Sequence, residues 1–187
     1  FPVLGTVQKD GDLLGQLLLD ALLDGDLLAG AGQVGLHVAE VQAAGIDLPC
    51  DQARAQDLRM RFHCLIYNFE YAAPKWSAEI RTTEQWWPPI EGRIRAVAER
   101  YGDTIDEYDV INEMILNAKW AAANNPVHPP LSDPDVGARI FRIARQYLPK
   151  ATLVSLEAGI VSTADTNAHF KAVYDYQKAL LDRGAPL

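Results

Sequence analysis

Short apolar runs alternate with longer stretches of helical periodicity from residue 60 to the end of the chain. Residues 60–67, 107–111 and 151–156 have the length and the apolar, β-branched content that are typical of buried strands. Between these runs, apolar residues recur at spacings of three and four, as they do on one face of a helix. The alternation favours right-handed βαβ units. We therefore expect an α/β fold whose three strands are parallel neighbours in chain order, with helices outside.

Prolines and a glycine mark the expected ends of the helix between the first two of these strands. We expect Pro88 and Pro89 to end a loop and the helix to follow them. The apolar face of this helix runs from Ile90 to Tyr101, and Gly102 is its expected C-terminal cap.

Two more helices are expected in the second half of the chain. Residues 124–134 contain four prolines and predict a long loop. Asp133 is suited to cap the helix that follows, with Pro134 at its first position. A last helix is expected to begin at Asp165, with five side chains facing inward: Phe170, Val173, Tyr174, Gln177 and Leu181.

Composition excludes several classes of function. The net charge of −8 over 187 residues argues against a nucleic-acid partner held by phosphate contacts. No apolar run approaches the roughly 18 residues that a membrane span requires. Cys50 and Cys64 cannot form a disulfide framework, and no histidine has partners at metal-ligand spacing. We therefore expect no cofactor, no metal and no membrane span.

The run from Tyr108 to Glu113 ends in two polar residues. Val110 and Ile111 are typical of a strand interior, and Asn112 and Glu113 then fall where a parallel strand would reach its carboxyl end. In barrel enzymes that end of the strands carries the chemistry. The alternative is a strand followed by a solvated helix start.

These six residues resemble the fourth-strand motif of family 10 glycoside hydrolases, the xylanase family, which is Trp-Asp-Val-Val-Asn-Glu. Residues 61–67, Arg-Phe-His-Cys-Leu-Ile-Tyr, resemble the family's third strand, Arg-Gly-His-Thr-Leu-Val-Trp. Pro74-Lys75-Trp76 follows at the spacing of the family's Pro-Ser-Trp. The resemblance covers residues 58–187. Residues 1–50 diverge, and the segment 34–41, a strand or a helix, lacks the Glu-Asn pair and Lys of the family's second strand.

The resemblance implies a TIM-barrel-like fold that is incomplete, the front part of a (β/α)8 barrel. A complete barrel needs roughly 250 residues. We therefore expect residues 1–187 to form a single partial barrel domain, with the family's nucleophile on a later strand. An open edge after the last strand would expose unpaired backbone groups and invite a protein partner.

The resemblance also implies a site. Glu113 would be the general acid/base of a retaining glycosidase. The polysaccharide would be bound by polar side chains of the third and fourth strands, namely Asn112, His63, Tyr67 and Asn68. Trp120 follows Glu113 by seven residues and is either an aromatic platform for a sugar or a packing residue of its loop.

One residue departs from the family at the end of the fifth strand. Glu157 stands where the family has Asn-Asp-Tyr, and we expect a solvated strand end, with a surrogate carboxylate as the less favoured alternative. The expected function is retaining hydrolysis of a β-1,4-linked polysaccharide such as xylan, by a secreted or periplasmic protein whose nucleophile lies outside this chain. Alone, the chain should be inactive. The rival hypothesis is a non-catalytic, barrel-derived structural or interaction subunit.

Overall fold

The computed structural model describes residues 50–69, 72, 75–160 and 168–187. The features expected in residues 1–49, at Pro74 and at Asp165 lie outside the described residues. The elements are β1 (Arg61–Tyr67), α1 (Thr83–Tyr101), β2 (Glu107–Asn112), α2 (Ala118–Asn124), α3 (Pro134–Tyr147), β3 (Thr152–Leu156) and α4 (Ala168–Asp182). Residues 50–55 are also helical, and a 3₁₀ helix covers Lys75–Glu79. Within the described part of the chain, no helix is long and apolar enough to cross a membrane.

The three strands form one parallel sheet in the order β1-β2-β3, which confirms the predicted order and direction. The register pairs Tyr67 with Asn112, and Asn112 with Leu156, so the three strands end at nearly the same level. Because the carboxyl ends of parallel strands meet at one edge, the residues that follow β2 and β3 are brought close together.

Helices α1 and α3 cover one face of the sheet. The Phe62 ring of β1 stacks on Tyr108 of β2, with ring centroids 5.7 Å apart, and on Tyr101 at the end of α1, at 6.5 Å. Successive side chains of a strand point to opposite faces. His63 and Asp109, which are paired in the register, therefore lie on the face turned away from these helices.

Strand β1 has an irregularity that α1 accommodates. The register between β1 and β2 shifts between His63 and Ile66. The guanidinium of Arg93, on α1, donates hydrogen bonds to the backbone carbonyls of Cys64 and Leu65 within this stretch. Since buried carbonyls without a partner are costly, Arg93 gives the interrupted strand the donors that it needs.

Helix α1 begins earlier than expected, and the predicted loop at Pro88 and Pro89 is wrong. Both prolines lie inside the helix, which begins at Thr83. Thr82 and Gln85 form a capping box, in which each side chain bonds the other residue's backbone N–H. A helix interior normally excludes proline because proline lacks the N–H. The capping box contributes stability at the end of the helix where the prolines weaken it.

Gly102 caps α1 as predicted, but for a steric reason. Its φ of −60° is an ordinary right-handed value, so the position does not require glycine's freedom at positive φ. A Cβ atom added there would lie 2.5 Å from the carbonyl oxygen of Ala98, whereas one added at Gly92, inside the same helix, would meet nothing within 4 Å. Gly102 therefore lacks the space for a side chain, and Gly92 does not.

Alanine substitutions should separate these two effects. Gly92→Ala should raise the free energy of unfolding by about 1 kcal/mol, because alanine is the better helix former. Gly102→Ala should lower it by about 1 to 3 kcal/mol, because the backbone must move to admit the methyl group. Urea unfolding of both variants measures the difference. Equal effects at the two positions would contradict the steric explanation.

The start of α3 agrees with the prediction, and the inner face of α4 agrees in part, because Val173 is buried as predicted. Asp133 accepts a hydrogen bond from the N–H of Asp135 and caps α3. On α4 the buried residues are Val173, Tyr176 and Leu180. The predicted inward positions Tyr174 and Leu181 are 60% and 61% exposed. Tyr176 faces inward because its hydroxyl donates a hydrogen bond to the carbonyl of Leu131, and this partner lies 45 residues away.

Candidate active site

Glu113 directly follows β2 in a tight turn. Its φ is 50°, a left-handed value that is uncommon for a residue other than glycine. The N–H of Glu113 donates to the carbonyl of Leu156 at the end of β3 (2.8 Å), and its own carbonyl accepts from the N–H of Asn117 (3.1 Å). The turn 113–117 is therefore bonded both to itself and to the neighbouring strand.

The Glu113 carboxylate is held by two side chains. The Tyr67 hydroxyl, at the end of β1, donates to Oε2 over 2.6 Å, and Nδ2 of Asn117 donates to the same oxygen over 3.0 Å. Asn117 Nδ2 also lies 3.3 Å from the Tyr67 hydroxyl. Among the described residues, Oε1 accepts no hydrogen bond. One oxygen of the carboxylate is thus fixed, and the other is available.

A small pocket, partly open to solvent, lies beside this carboxylate. Asn68 and Asn112 line it together with Glu113 and Asn117. Asn112 is only 4% exposed, and its Oδ1 has no hydrogen-bond partner in the described part of the chain. A buried amide oxygen without a partner is rare, and it indicates a group that is satisfied by something else, such as a bound ligand or water.

The remaining predicted residues of this region are also anchored. Oδ1 of Asn68 accepts a hydrogen bond from Nδ2 of Asn125 (2.8 Å). Trp120 lies on the short helix α2, where a loop was expected, and its ring packs on Phe69 with centroids 5.1 Å apart. Phe69 in turn stacks on Tyr67 (6.1 Å). An aromatic row therefore leads from Trp120 to the side chain that holds Glu113.

His63 belongs to a different cluster. Its Nδ1 lies 2.9 Å from the Asp109 carboxylate, which is also hydrogen-bonded by the Arg61 guanidinium. Burial of the Asp109 side chain, 2% exposed, opposes ionisation. The hydrogen bonds from His63 and Arg61 outweigh this effect and hold the pKa of Asp109 below its usual range. His63 pairs with the strand position three residues before Asn112, about 10 Å lower along β2.

Glu157 is not the solvated strand end that was predicted. Its side chain is 1% exposed, and it accepts hydrogen bonds from two backbone N–H groups of the turn 113–117. The N–H of Ile115 bonds Oε2 (2.9 Å) and the N–H of Leu116 bonds Oε1 (3.2 Å). Burial raises the pKa of Glu157, although the two N–H groups and His169 act in the opposite direction. The prediction failed because the donors come from a segment some 40 residues away, which strand periodicity does not reveal.

Similarity to known proteins identifies the fold and the family. The model of glycosyl hydrolase family 10 matches residues 38–187. The chain belongs to this family. The family 10 chain is 27% identical over 135 residues to endo-1,4-beta-xylanase 2 of Arabidopsis thaliana, covering 70% of this chain and 12% of that protein. It is 26% identical over 151 residues to endo-1,4-beta-xylanase C of Paenibacillus barcinonensis, covering 72% and 14%.

Solved structures share the fold of the family 10 chain. The GH10 structure from Paenibacillus barcinonensis has a TM-score of 0.63 at 24% identity and is matched over 77% of this chain and 44% of its own length. Xylanase 10B from Thermotoga petrophila RKU-1, solved with xylobiose, has a TM-score of 0.63 at 20% identity, with 76% and 42% covered. The fold is therefore that of part of a (β/α)8 barrel, as predicted. The family 10 chain spans less than half the length of these structures.

Sequence reasoning missed Asn117 in the site of this family 10 chain. The only local signal is its position four residues after Glu113, the spacing at which a helical turn brings side chains together. Among the described residues, no three His, Cys, Asp or Glu side chains are grouped so that they could hold a metal ion.

Proposed function

We propose that this chain carries the acid/base side of the active site of a retaining glycosidase that hydrolyses xylan. The observation that supports this most directly is the environment of Glu113. Tyr67 and Asn117 both donate to Oε2 of its carboxylate, at the carboxyl end of a parallel sheet and beside a pocket. Active sites of barrel enzymes are built at this end of the strands.

The two carboxylate oxygens of Glu113 suit two different tasks. Because Oε2 already accepts two hydrogen bonds, a proton on the carboxyl group is best placed on Oε1. Oε1 would then donate this proton to the leaving oxygen of the glycosidic bond in the first step. In the second step the carboxylate would take a proton from the water that releases the sugar from the enzyme.

The nucleophile in this proposal is a second carboxylate. Retaining glycosidases place it about 5–5.5 Å from the acid. Glu157 is poorly suited to this role, because both of its oxygens accept backbone hydrogen bonds and its side chain is 1% exposed. We therefore assign the nucleophile to a strand outside residues 1–187. This fits the comparison with the solved structure from Paenibacillus barcinonensis, of which the chain matches only 44%.

Sugar binding is assigned to the polar and aromatic side chains around the pocket. The unpartnered Oδ1 of Asn112 is suited to accept a hydrogen bond from a sugar hydroxyl, and we assign the 2-hydroxyl to Asn112. Asn68 would bind through its amide group, and Trp120 would extend the site with the face of its ring. His63 does not line this pocket and lies in the cluster with Asp109; we propose that it binds a sugar through Nε2, because Nδ1 is bonded to Asp109. We propose a secreted or periplasmic location, where polysaccharide is found.

A second candidate is a non-catalytic subunit. Within the described part of the chain, β3 pairs only with β2, so its outer edge carries backbone groups without a strand partner. Such an edge favours association with another polypeptide segment. A protein partner covering this edge remains compatible with either function.

Hydrolysis of xylan distinguishes the two candidates. The full-length protein that contains this chain should release reducing sugars from xylan, and proton NMR at early times should show the β-anomer first. Residues 1–187 alone should release none, because acid catalysis without the nucleophile gives only about 10²–10⁴-fold acceleration. No hydrolysis by the full-length protein would favour the second candidate. The α-anomer as first product would exclude the retaining mechanism.

A further inference from the structure

We propose that Glu157 is a positioning residue for Glu113: its buried carboxylate holds the turn 113–117 in the geometry that proton transfer requires. This inference rests on the proposed function, because the position of Glu113 matters for catalysis only if Glu113 is the acid/base. Glu157 itself does not touch the substrate. The inference gives a role to the position where this chain departs from the family's sequence.

The first support is the way in which Glu157 binds the turn. Its two oxygens accept the N–H groups of two consecutive residues, Ile115 over 2.9 Å and Leu116 over 3.2 Å. Hydrogen bonds to an ionised acceptor are about twice as strong as neutral ones. Because the side chain is 1% exposed, water does not compete for either oxygen. The end of β3 therefore fixes the middle of the turn.

The second support is what the turn carries. Glu113 begins it with a φ of 50°, and Asn117 ends it while donating to Oε2 of Glu113. A movement of residues 115 and 116 would therefore displace the acid and one of its two donors together. Apolar packing of this segment is uneven, because Met114 is 2% exposed but Leu116 is 51% exposed. Ile115 also packs against the core, so the hydrogen bond to Glu157 matters most at Leu116, which apolar packing leaves exposed.

The third support is that Glu157 is itself fixed. Nε2 of His169, on α4, lies 3.9 Å from Oε1 of Glu157 and 2.9 Å from the carbonyl oxygen of Ala158. The segment after β3 is thus bonded to α4 next to the carboxylate. A residue held in this way can restrain the turn rather than follow it.

The variant Glu157→Gln removes this restraint with little change in volume. A glutamine offers one acceptor oxygen, and its NH₂ group would face the second backbone N–H. The matched control is Glu99→Gln, which makes the same chemical change on α1, where the carboxylate is 70% exposed. Both variants are to be made in the full-length protein.

Two measurements test the positioning role. Amide hydrogen exchange at Ile115 and Leu116 should become at least about tenfold faster in Glu157→Gln and stay unchanged in Glu99→Gln. The kcat/KM for xylan should fall about 10- to 100-fold, because small displacements of a catalytic group are costly. The kcat/KM for an aryl glycoside with an activated leaving group should fall less than about threefold, because this substrate needs little protonation.

The outcomes separate the inference from the function on which it rests. Unchanged exchange at Ile115 and Leu116, or equal losses on the two substrates, would overturn the positioning role. If the kcat/KM of Glu113→Gln for xylan equals that of the wild type, the proposed function fails. The positioning role then fails with it, because it depends on that function. If Glu113→Gln is impaired on xylan and Glu157→Gln is not, only the inference about Glu157 is wrong.

Discussion

Glu113→Gln should lower kcat/KM for xylan by about 10²- to 10⁴-fold in the full-length protein, the usual contribution of a general acid. Glutamine keeps an oxygen that can accept the hydrogen bonds from Tyr67 and Asn117, but it has no proton to give to the leaving group. For an aryl glycoside with an activated leaving group, kcat/KM reports the first chemical step. The kcat/KM for the aryl glycoside should fall far less than that for xylan, because departure of an activated leaving group needs little protonation.

A matched variant tests whether this loss is specific. Glu107→Gln makes the same chemical change at the opposite end of β2, away from the pocket, and should leave both kcat/KM values within about twofold. An equal loss on xylan and on the aryl glycoside in Glu113→Gln would mean that Glu113 is not the acid. Its contacts with Tyr67 and Asn117 would then be structural.

Asp109→Asn should lower the free energy of unfolding by about 2 to 4 kcal/mol. The Asp109 carboxylate is 2% exposed and is hydrogen-bonded by Arg61 and His63, so the neutral amide leaves two donors poorly matched. Breaking a buried pair typically costs about 3–5 kcal/mol, and the lower range applies here because the Arg61 side chain is 34% exposed. Urea unfolding measures the change, with the exposed Asp103→Asn as the control, which should shift stability by less than about 0.5 kcal/mol.

The difference in unfolding free energy between the wild type and Asp109→Asn should depend on pH. The folded pKa of Asp109 is depressed, so the unfolded chain binds a proton at higher pH than the folded one. Its stabilising contribution is fully present above the unfolded pKa of about 3.9 and is lost as pH falls through the lower folded value. The stability difference between wild type and Asp109→Asn should therefore shrink below about pH 4. A difference that stays constant down to pH 2 would contradict an electrostatic origin.

The parts of the fold that depend on local sequence were predictable. The strand ending at Asn112 follows from a run of buried apolar residues, and the cap at Asp133 follows from its own side chain and the proline after it. The three parallel strands follow from the alternation of such segments. The position of Glu113 directly after β2 was predictable for the same reason, whereas its role as the acid stays a prediction that came from the family resemblance.

The contacts that the sequence did not predict join distant segments. Tyr67 reaches Glu113 across 46 residues, and Glu157 reaches Ile115 across 42, so both contacts depend on strand register. The inner face of α4 depended in the same way on the bond from Tyr176 to Leu131. Periodicity shows that a helix or strand has a buried side, but it does not show which distant polar group lies there.

The left-handed backbone at Glu113 has a consequence for protein engineering. Glycine and asparagine adopt a φ of 50° at lower conformational cost than glutamate does. A redesign that scores stability alone would therefore favour either of them at this position, and it would remove the proposed proton donor while improving the score. In this chain, position 113 must be held constant before any search for a more heat-resistant variant begins.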